Sequence, residues 1–449
     1  MAGIDLDNLP KGKEFEEYLA AYFQEQGYYI EKNIIERHGG DEVLEIDLAL
    51  TNYDKKPLEM NLIEAKSGKS KFSDIFKVRG WMYYLNFDKG IFISQEKSDD
   101  FDFQRETAKT INIDLVQIGE LKNTDAALKG ISGLCDKKVD VQDFRVWRYV
   151  YWIERALLKR LNIWKKSVKD KECYKIMEDY HFKAHNDVFF NANIIQRLSG
   201  LYDTFHETPR LTAHVGNECD GKRFYERCSD LPSSIFAASF YRCEYNPVQI
   251  STYVEHKTRL SILKNAIDYQ LFKNAGDTHL TNNEIIRRDE MLGLRFEYTL
   301  IDNLPMNFMK NLNIISKDEY FHRYPIFWQT FLWLFGGFIL NDYKEEEYKL
   351  LSEKSGIPID EIPAAFQCYE RLFPLEKGWF MEMPNSNIKI MKMFPIPFRG
   401  MGAHYRKVKF TEKSEFDELN LTGDKTFNDL IKWNSLAYNV LKEDLKLKK

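Results

Sequence analysis

The chain has 449 residues, of which 44% are apolar and 14% aromatic, and its formal net charge is −5 at pH 7. This apolar fraction excludes a globally disordered chain, and the length exceeds one usual hydrophobic core, so we expect two or three domains. The charge is uneven, because residues 1–125 contain 16 Lys and Arg against 25 Asp and Glu and are therefore strongly acidic. Their net charge alone cannot hold a polyanion.

Cysteine usage and hydropathy indicate the compartment. The six cysteines include no Cys-x-x-Cys pair, and the sequence shows no signal peptide. Structural zinc and a disulfide framework are poorly supported, so we expect a cytoplasmic protein. The most apolar run, residues 331–340, is too short to span a bilayer, and we predict a buried helix there and no membrane partner.

The N-terminal elements begin with a helix followed by strands. Residues 12–26 have apolar side chains at helical spacing, and the next residue, Gly27, is a common stop signal. Residues 28–36 predict a strand. Residues 43–66 predict two further strands, since apolar and polar side chains alternate on either side of a polar turn at 52–57.

The following residues continue the pattern with helices and short buried strands. We predict a helix at 73–86, a strand at 90–94, a helix at 103–110 and a strand at 113–118. The predicted fold is therefore α/β, with a mixed sheet flanked by helices in the order αβββαβ and then one more helix and strand.

Three ionisable side chains of the predicted hairpin are expected to lie close to one another. Glu64 and Lys66 are two residues apart and share a face of their strand, and pairing of the hairpin brings Asp47 alongside them. Two carboxylates suit Mg²⁺, which makes its water ligands more acidic, and a neighbouring lysine stabilises charge on a phosphodiester. The alternative is that both acids are solvated edge residues with Lys66 as their ion-pair partner.

Together with its flanking elements, this pattern resembles the PD-(D/E)XK restriction-endonuclease-like superfamily, in particular its Mrr-type branch of bacterial defence nucleases. The segment Gly12-x-x-Phe15-Glu16 resembles the first-helix motif of that branch, Asp47 stands at the place of its first acid, and Glu64-Ala65-Lys66 is similar to its ExK motif. The resemblance covers about the first quarter of the chain.

The resemblance assigns roles to these residues. It implies that Asp47, Glu64 and the Ala65 carbonyl bind Mg²⁺ or Mn²⁺, that Lys66 is the catalytic lysine, and that Glu16 lies beside the metal. The implied activity is a metal-dependent endonuclease, with DNA a more usual substrate than RNA.

The resemblance also implies a biological setting, an effector of anti-phage defence that works with a partner or activator. The chain has no GxxxxGK[ST] motif, so an ATPase or sensor would be a separate subunit, and we expect a homo-oligomer. Two alternatives stay open at this point. One is an RNA-cleaving toxin, and the other is a non-catalytic binding or scaffold module that retains the nuclease fold.

Two basic stretches are candidate nucleic-acid contacts. The first follows the ExK motif and comprises Lys69, Lys71, Lys77 and Arg79. The second lies on a long helix predicted at 143–169 and comprises Arg148, Arg155 and Lys159. The alternatives are a solvated loop and helix face for the first, and a helix that packs on the acidic N-terminal domain or on a partner subunit for the second.

Loss of periodicity after residue 122 suggests the domain organisation. We predict a nuclease domain at 1–122, a linker at 123–141, a mainly helical assembly or recognition domain at 142–324, and an α+β region at 325–449.

Overall fold

The computed structural model describes residues 9–38, 41–56, 58–129, 194–207, 247–275, 306–340, 344–373, 380–382 and 388–391, and several positions between 131 and 158. The chain divides into two compact units, with the boundary between Trp152 and Ile153. The domain boundaries expected at 122, 141 and 324 stay predictions.

The N-terminal unit is built on a five-stranded mixed sheet in the order β1-β2-β3-β4-β5. Its elements are α1 (Lys13–Glu25), β1 (Tyr29–His38), β2 (Asp41–Asn52), β3 (Glu59–Lys69), α2 (Phe72–Leu85), β4 (Lys89–Glu96), α3 (Phe101–Thr110), β5 (Ile113–Gln117) and α4 (Thr124–Lys129). Strands β1, β2 and β3 are antiparallel, whereas β3, β4 and β5 are parallel. The mixed sheet and the αβββαβ order are confirmed.

Apolar patterning explains these strands. In β2 the alternate residues Leu44, Ile46, Leu48 and Leu50 are all buried. Strand β4 is a continuous buried run, with Ile91, Phe92 and Ile93 fully buried, as is typical of a parallel strand covered on both faces.

Helix α1 is buried from Glu14 to Gln24, polar residues included. It packs on the sheet, and its tyrosines also bond to the start of α4. The Tyr18 hydroxyl donates to Thr124 Oγ1 at 2.8 Å, and the Tyr22 hydroxyl donates to Asp125 Oδ1 at 2.7 Å. Residues after the sheet therefore form a second layer over α1.

A later helical stretch continues this layer. Within the N-terminal unit, positions 143, 144, 146–148, 150 and 151 are helical. Arg148 is 3% exposed, and its Nη2 lies 3.2 Å from Glu14 Oε2. The Tyr151 hydroxyl donates to Gln24 Oε1 at 3.2 Å. Arg148 therefore packs on α1 of the acidic N-terminal domain, which was the alternative to a nucleic-acid contact.

The described part of the second unit is mostly helical, as predicted. It contains α5 (Ile194–Glu207), α6 (Pro247–Ala275), α7 (Met306–Ile315), α8 (Tyr324–Gln329), β6 (Phe338–Leu340), α9 (Lys344–Ser355), α10 (Ile362–Leu372), β7 (Phe380–Glu382) and β8 (Ile388–Met391). The three strands form an antiparallel sheet in the order β6-β8-β7.

The helix predicted at 331–340 is only half right. Helix α8 continues into a π-helical turn at Thr330–Leu334, and residues 338–340 are strand β6. Gly336 and Gly337 adopt positive φ angles of 72° and 73°, which end the helix. None of the helices among the described residues is long and apolar enough to cross a membrane.

The buried pair between Arg148 and Glu14 generates a stability prediction. We expect Arg148→Ala to lower the free energy of unfolding by about 3–5 kcal/mol, because it removes a buried guanidinium group that lies against the buried Glu14 carboxylate. Thermal unfolding of the full chain measures the change.

The control is Lys122→Ala, which removes an exposed pair with Glu120 and should leave the unfolding temperature unchanged. The double substitution Glu14→Gln, Arg148→Met should recover much of the loss. Equal unfolding temperatures for Arg148→Ala and wild type would contradict a structural role for this pair.

Candidate active site

The centre of the site is the point where the ladder between β2 and β3 ends. The last pair of that ladder is Leu48 with Ile63. Beyond it, the Ala65 amide donates to Asp47 Oδ2 at 2.8 Å. The Asp47 side chain thus satisfies a backbone N–H that β2 no longer reaches, and this bond fixes its carboxylate beside the ExK motif.

Glu64 and Lys66 share one face of β3. Lys66 Nζ lies 2.8 Å from Glu64 Oε1, and the Glu64 side chain is 6% exposed while that of Lys66 is 38% exposed. On its other side β3 pairs with β4, with Lys66 opposite Ser94. The carboxylate is therefore rigid and buried, and the ammonium group reaches solvent.

Helix α1 contributes Glu16, as the resemblance implied, together with Lys13, which the sequence analysis missed. Lys13 Nζ lies 3.1 Å from Glu16 Oε2 and 2.8 Å from Glu45 Oε1. The available signal was spacing, since Lys13 precedes Glu16 by one helical turn and Glu45 shares a strand face with Asp47.

Burial and crowding of carboxylates dominate the electrostatics. Burial, then the charges of Glu16 and Glu64, raise the pKa of Asp47 to about 8, against the lowering effect of the Ala65 hydrogen bond. Burial likewise raises the pKa of Glu16, although Lys13 opposes it. The charges of Glu16 and Glu64 thus both act on the Asp47 carboxyl group.

The carboxylates of the site raise the pKa of both lysines, against the effect of burial. Burial alone would lower the pKa of Lys66, but its hydrogen bond to Glu64 and the charges of Glu64 and Asp74 raise it. Burial also opposes charge on Lys13, and Glu16 and Glu45 outweigh it, so its pKa is raised. Both side chains are ammonium ions at neutral pH.

The arrangement contains more acidic than basic side chains. Four carboxylates face two ammonium groups, and the four are Glu16, Glu45, Asp47 and Glu64. In the part of the chain that the structure describes, no set of three or more His, Cys, Asp or Glu side chains is arranged to hold a metal ion. The oxygens that could hold a metal ion are those of the Asp47 and Glu64 carboxylates and of the Ala65 carbonyl. Mg²⁺ accepts a small set of protein oxygens of this kind.

The first basic stretch lies next to this site. Lys69 ends β3 and is exposed, with Nζ 4.0 Å from Asp99 Oδ1, and Lys71 is the exposed residue that precedes α2. Lys77 is exposed and its Nζ lies 4.3 Å from the centre of the Trp81 ring. Arg79 is half-buried.

In the second basic stretch, Arg148 is not a surface residue. Arg148 is buried against Glu14, and Arg155 is half-buried. Lys159 lies outside the described residues. We therefore leave Arg148 out of any nucleic-acid surface.

Comparison with known proteins gave one match. The family model for the Mrr catalytic domain, described as restriction endonuclease, matches residues 7–124, which include the whole five-stranded sheet. No curated protein and no solved structure matches the chain. The N-terminal region therefore matches the PD-(D/E)XK-like restriction endonuclease family, as its sequence motifs predicted.

Proposed function

We propose that this protein is a divalent-metal-dependent endonuclease that hydrolyses phosphodiester bonds of DNA. The observation that carries the proposal is the geometry at the end of the β2–β3 ladder, where Asp47 is bonded to Ala65 and the residues on either side of Ala65 are the paired Glu64 and Lys66. The family match supports a nuclease.

The acids of the site suit a divalent cation. Asp47 is buried, and this burial, together with the negative charges of Glu16 and Glu64, raises the pKa of its carboxyl group. Asp47, Glu64 and the Ala65 carbonyl would hold Mg²⁺ or Mn²⁺, which supplies charge stabilisation at the phosphate and a more acidic water. Glu16 and Lys13 would adjust the charge at its edge.

Lys66 would act as a cation rather than as a base. Its pKa is raised, so the ammonium form persists at neutral pH, and Glu64 accepts only one of its three N–H groups. The remaining donors can orient the attacking water and stabilise the negative charge that develops on the phosphate. The expected products carry a 5′-phosphate and a 3′-hydroxyl.

The wider role is also a proposal. A cytoplasmic effector of bacterial anti-phage defence fits the Mrr-type match, with the mainly helical second unit available for assembly or recognition. A homo-oligomer and a separate ATPase or sensor subunit belong to the same proposal.

Removal of the Lys66 ammonium group tests the proposed chemistry. We expect Lys66→Ala to reduce cleavage of DNA by about a thousandfold or more, because several kcal/mol of transition-state stabilisation are lost. Gels of supercoiled, linear and single-stranded DNA with Mg²⁺ or Mn²⁺ measure the rate.

The matched control is Lys89→Ala. Lys89 is also ion-paired, with Asp114, but lies at the opposite end of the parallel strands. The Lys89→Ala protein should cut DNA at the wild-type rate. If Lys66→Ala and wild type cut equally, the active site has been assigned wrongly.

Charge at Asp47 generates a prediction that does not depend on activity. Asp47→Asn removes one of three crowded buried carboxylates and keeps an oxygen for the Ala65 amide, so we expect its unfolding temperature in EDTA to exceed that of wild type by a few degrees.

Addition of Mg²⁺ or Mn²⁺ should then stabilise wild type but not Asp47→Asn, because ligand binding to the folded state raises stability. Differential scanning fluorimetry measures both effects. Equal stabilisation of the two proteins by metal would remove Asp47 from the set of metal ligands.

A further inference from the structure

Three phenylalanine side chains form a cluster at the surface of the N-terminal unit, which we call the aromatic platform: Phe72, Phe76 and Phe103. The Phe72 ring lies 5.2 Å from that of Phe76, edge to face, and 5.8 Å from that of Phe103, stacked. Phe76 is 49% exposed and Phe103 is 66% exposed. The platform thus presents two ring faces or edges to solvent.

The exposed rings of Phe76 and Phe103 are not part of the hydrophobic core. Other phenylalanines of the same unit are buried, namely Phe15, Phe23, Phe87, Phe92, Phe101 and Phe144. Helix α2 is anchored without Phe76, through its buried residues Ile75, Val78 and Met82. Two large apolar rings that are exposed next to Phe72 therefore indicate a binding site for a partner.

The platform lies at the same end of the sheet as the candidate active site. Phe72 begins α2, directly after β3 and its ExK motif, and Phe103 lies in the first turn of α3, after β4. These are the carboxyl ends of two adjacent parallel strands. Asp74 lies between Phe72 and Phe76 in the sequence, and its negative charge raises the pKa of Lys66.

Charge around the platform is divided between its two helices. Residues 66–79 contain five cations and a single anion, Asp74. The α3 side is acidic, with Asp99, Asp100 and Asp102. A polyanionic backbone is therefore attracted to the α2 side, where Lys69, Lys71 and Lys77 are exposed, and its bases would then extend over the rings.

We propose that the aromatic platform stacks on unpaired bases, so that the substrate strand is single-stranded DNA beside the scissile phosphate. Rings of this kind stack on any base, but the bases of an intact duplex are already stacked on one another and cannot reach them. This inference rests on the proposed nuclease function and specifies the substrate class of the same site.

Binding measurements separate the platform from the catalytic residues. The full chain carrying Lys66→Ala, which should not cut, is titrated in Mg²⁺ against fluorescein-labelled single-stranded DNA and against the duplex of the same sequence. We expect Phe103→Ala and Phe76→Ala each to weaken single-strand binding about tenfold, with little effect on the duplex.

Two further variants control for exposure and for ring chemistry. Tyr83→Ala removes another exposed aromatic side chain, 72% exposed and near the far end of α2, and should bind like the parent. Phe103→Trp should retain single-strand affinity because it keeps a stacking surface, whereas Phe103→Leu should not. Since Phe103 is largely exposed, unchanged unfolding temperatures will confirm that each variant is folded.

The outcomes distinguish this inference from the proposed function. If duplex DNA binds and is cut in a Lys66-dependent manner but the phenylalanine variants bind single strands like the parent, the platform proposal is overturned and the nuclease proposal stands. Equal losses on single strands and duplex also overturn stacking, as does a changed oligomeric state with unchanged DNA affinity. If the parent binds neither form of DNA, both proposals fall.

Discussion

The hydrogen bond from the Ala65 amide to the Asp47 carboxylate joins β3 to β2 at the point where their ladder ends. Strand β3 leaves its antiparallel neighbour there and continues beside the parallel strand β4. The divergence opens a place for polar side chains at the edge of a buried sheet, and it would leave the Ala65 N–H without a partner if Asp47 were apolar. One carboxylate thus completes the backbone hydrogen bonding, and the proposed function also makes it a metal ligand.

Helix α1 and the layer that covers it determine how much charge this place contains. Glu16 is 7% exposed because α1 lies between the sheet and the residues that follow Thr124. The buried contact of Arg148 with Glu14 adds to the packing over the same helix. Burial, together with the charges of Glu16 and Glu64, therefore raises the pKa of Asp47, and the Ala65 hydrogen bond and Lys13 offset only part of this effect. The crowding of these acids would favour a divalent cation in the proposed function.

The sequence allowed prediction of the order of helices and strands along the first 118 residues, and it placed Asp47 beside the strand of Glu64 and Lys66, because strand alternation and a two-residue spacing are local properties. It did not reveal the contacts of Lys13 with Glu45 or of Arg148 with Glu14, which join positions distant along the chain. Arg148 belongs to a basic stretch that could equally face solvent or a carboxylate, and only tertiary packing decides between them. The helix expected at 331–340 was overestimated because two glycines with left-handed backbone angles interrupt an apolar run that is otherwise continuous.

Location of the metal tests the central claim most directly. Crystals of the protein grown with Mn²⁺ and examined by anomalous scattering should show a peak in contact with the Asp47 and Glu64 carboxylates and the Ala65 carbonyl oxygen. Such a peak would establish that the end of the β2–β3 ladder is a metal centre with Lys66 beside it. Manganese bound elsewhere in a protein that cuts DNA, with none at these oxygens, would contradict the account.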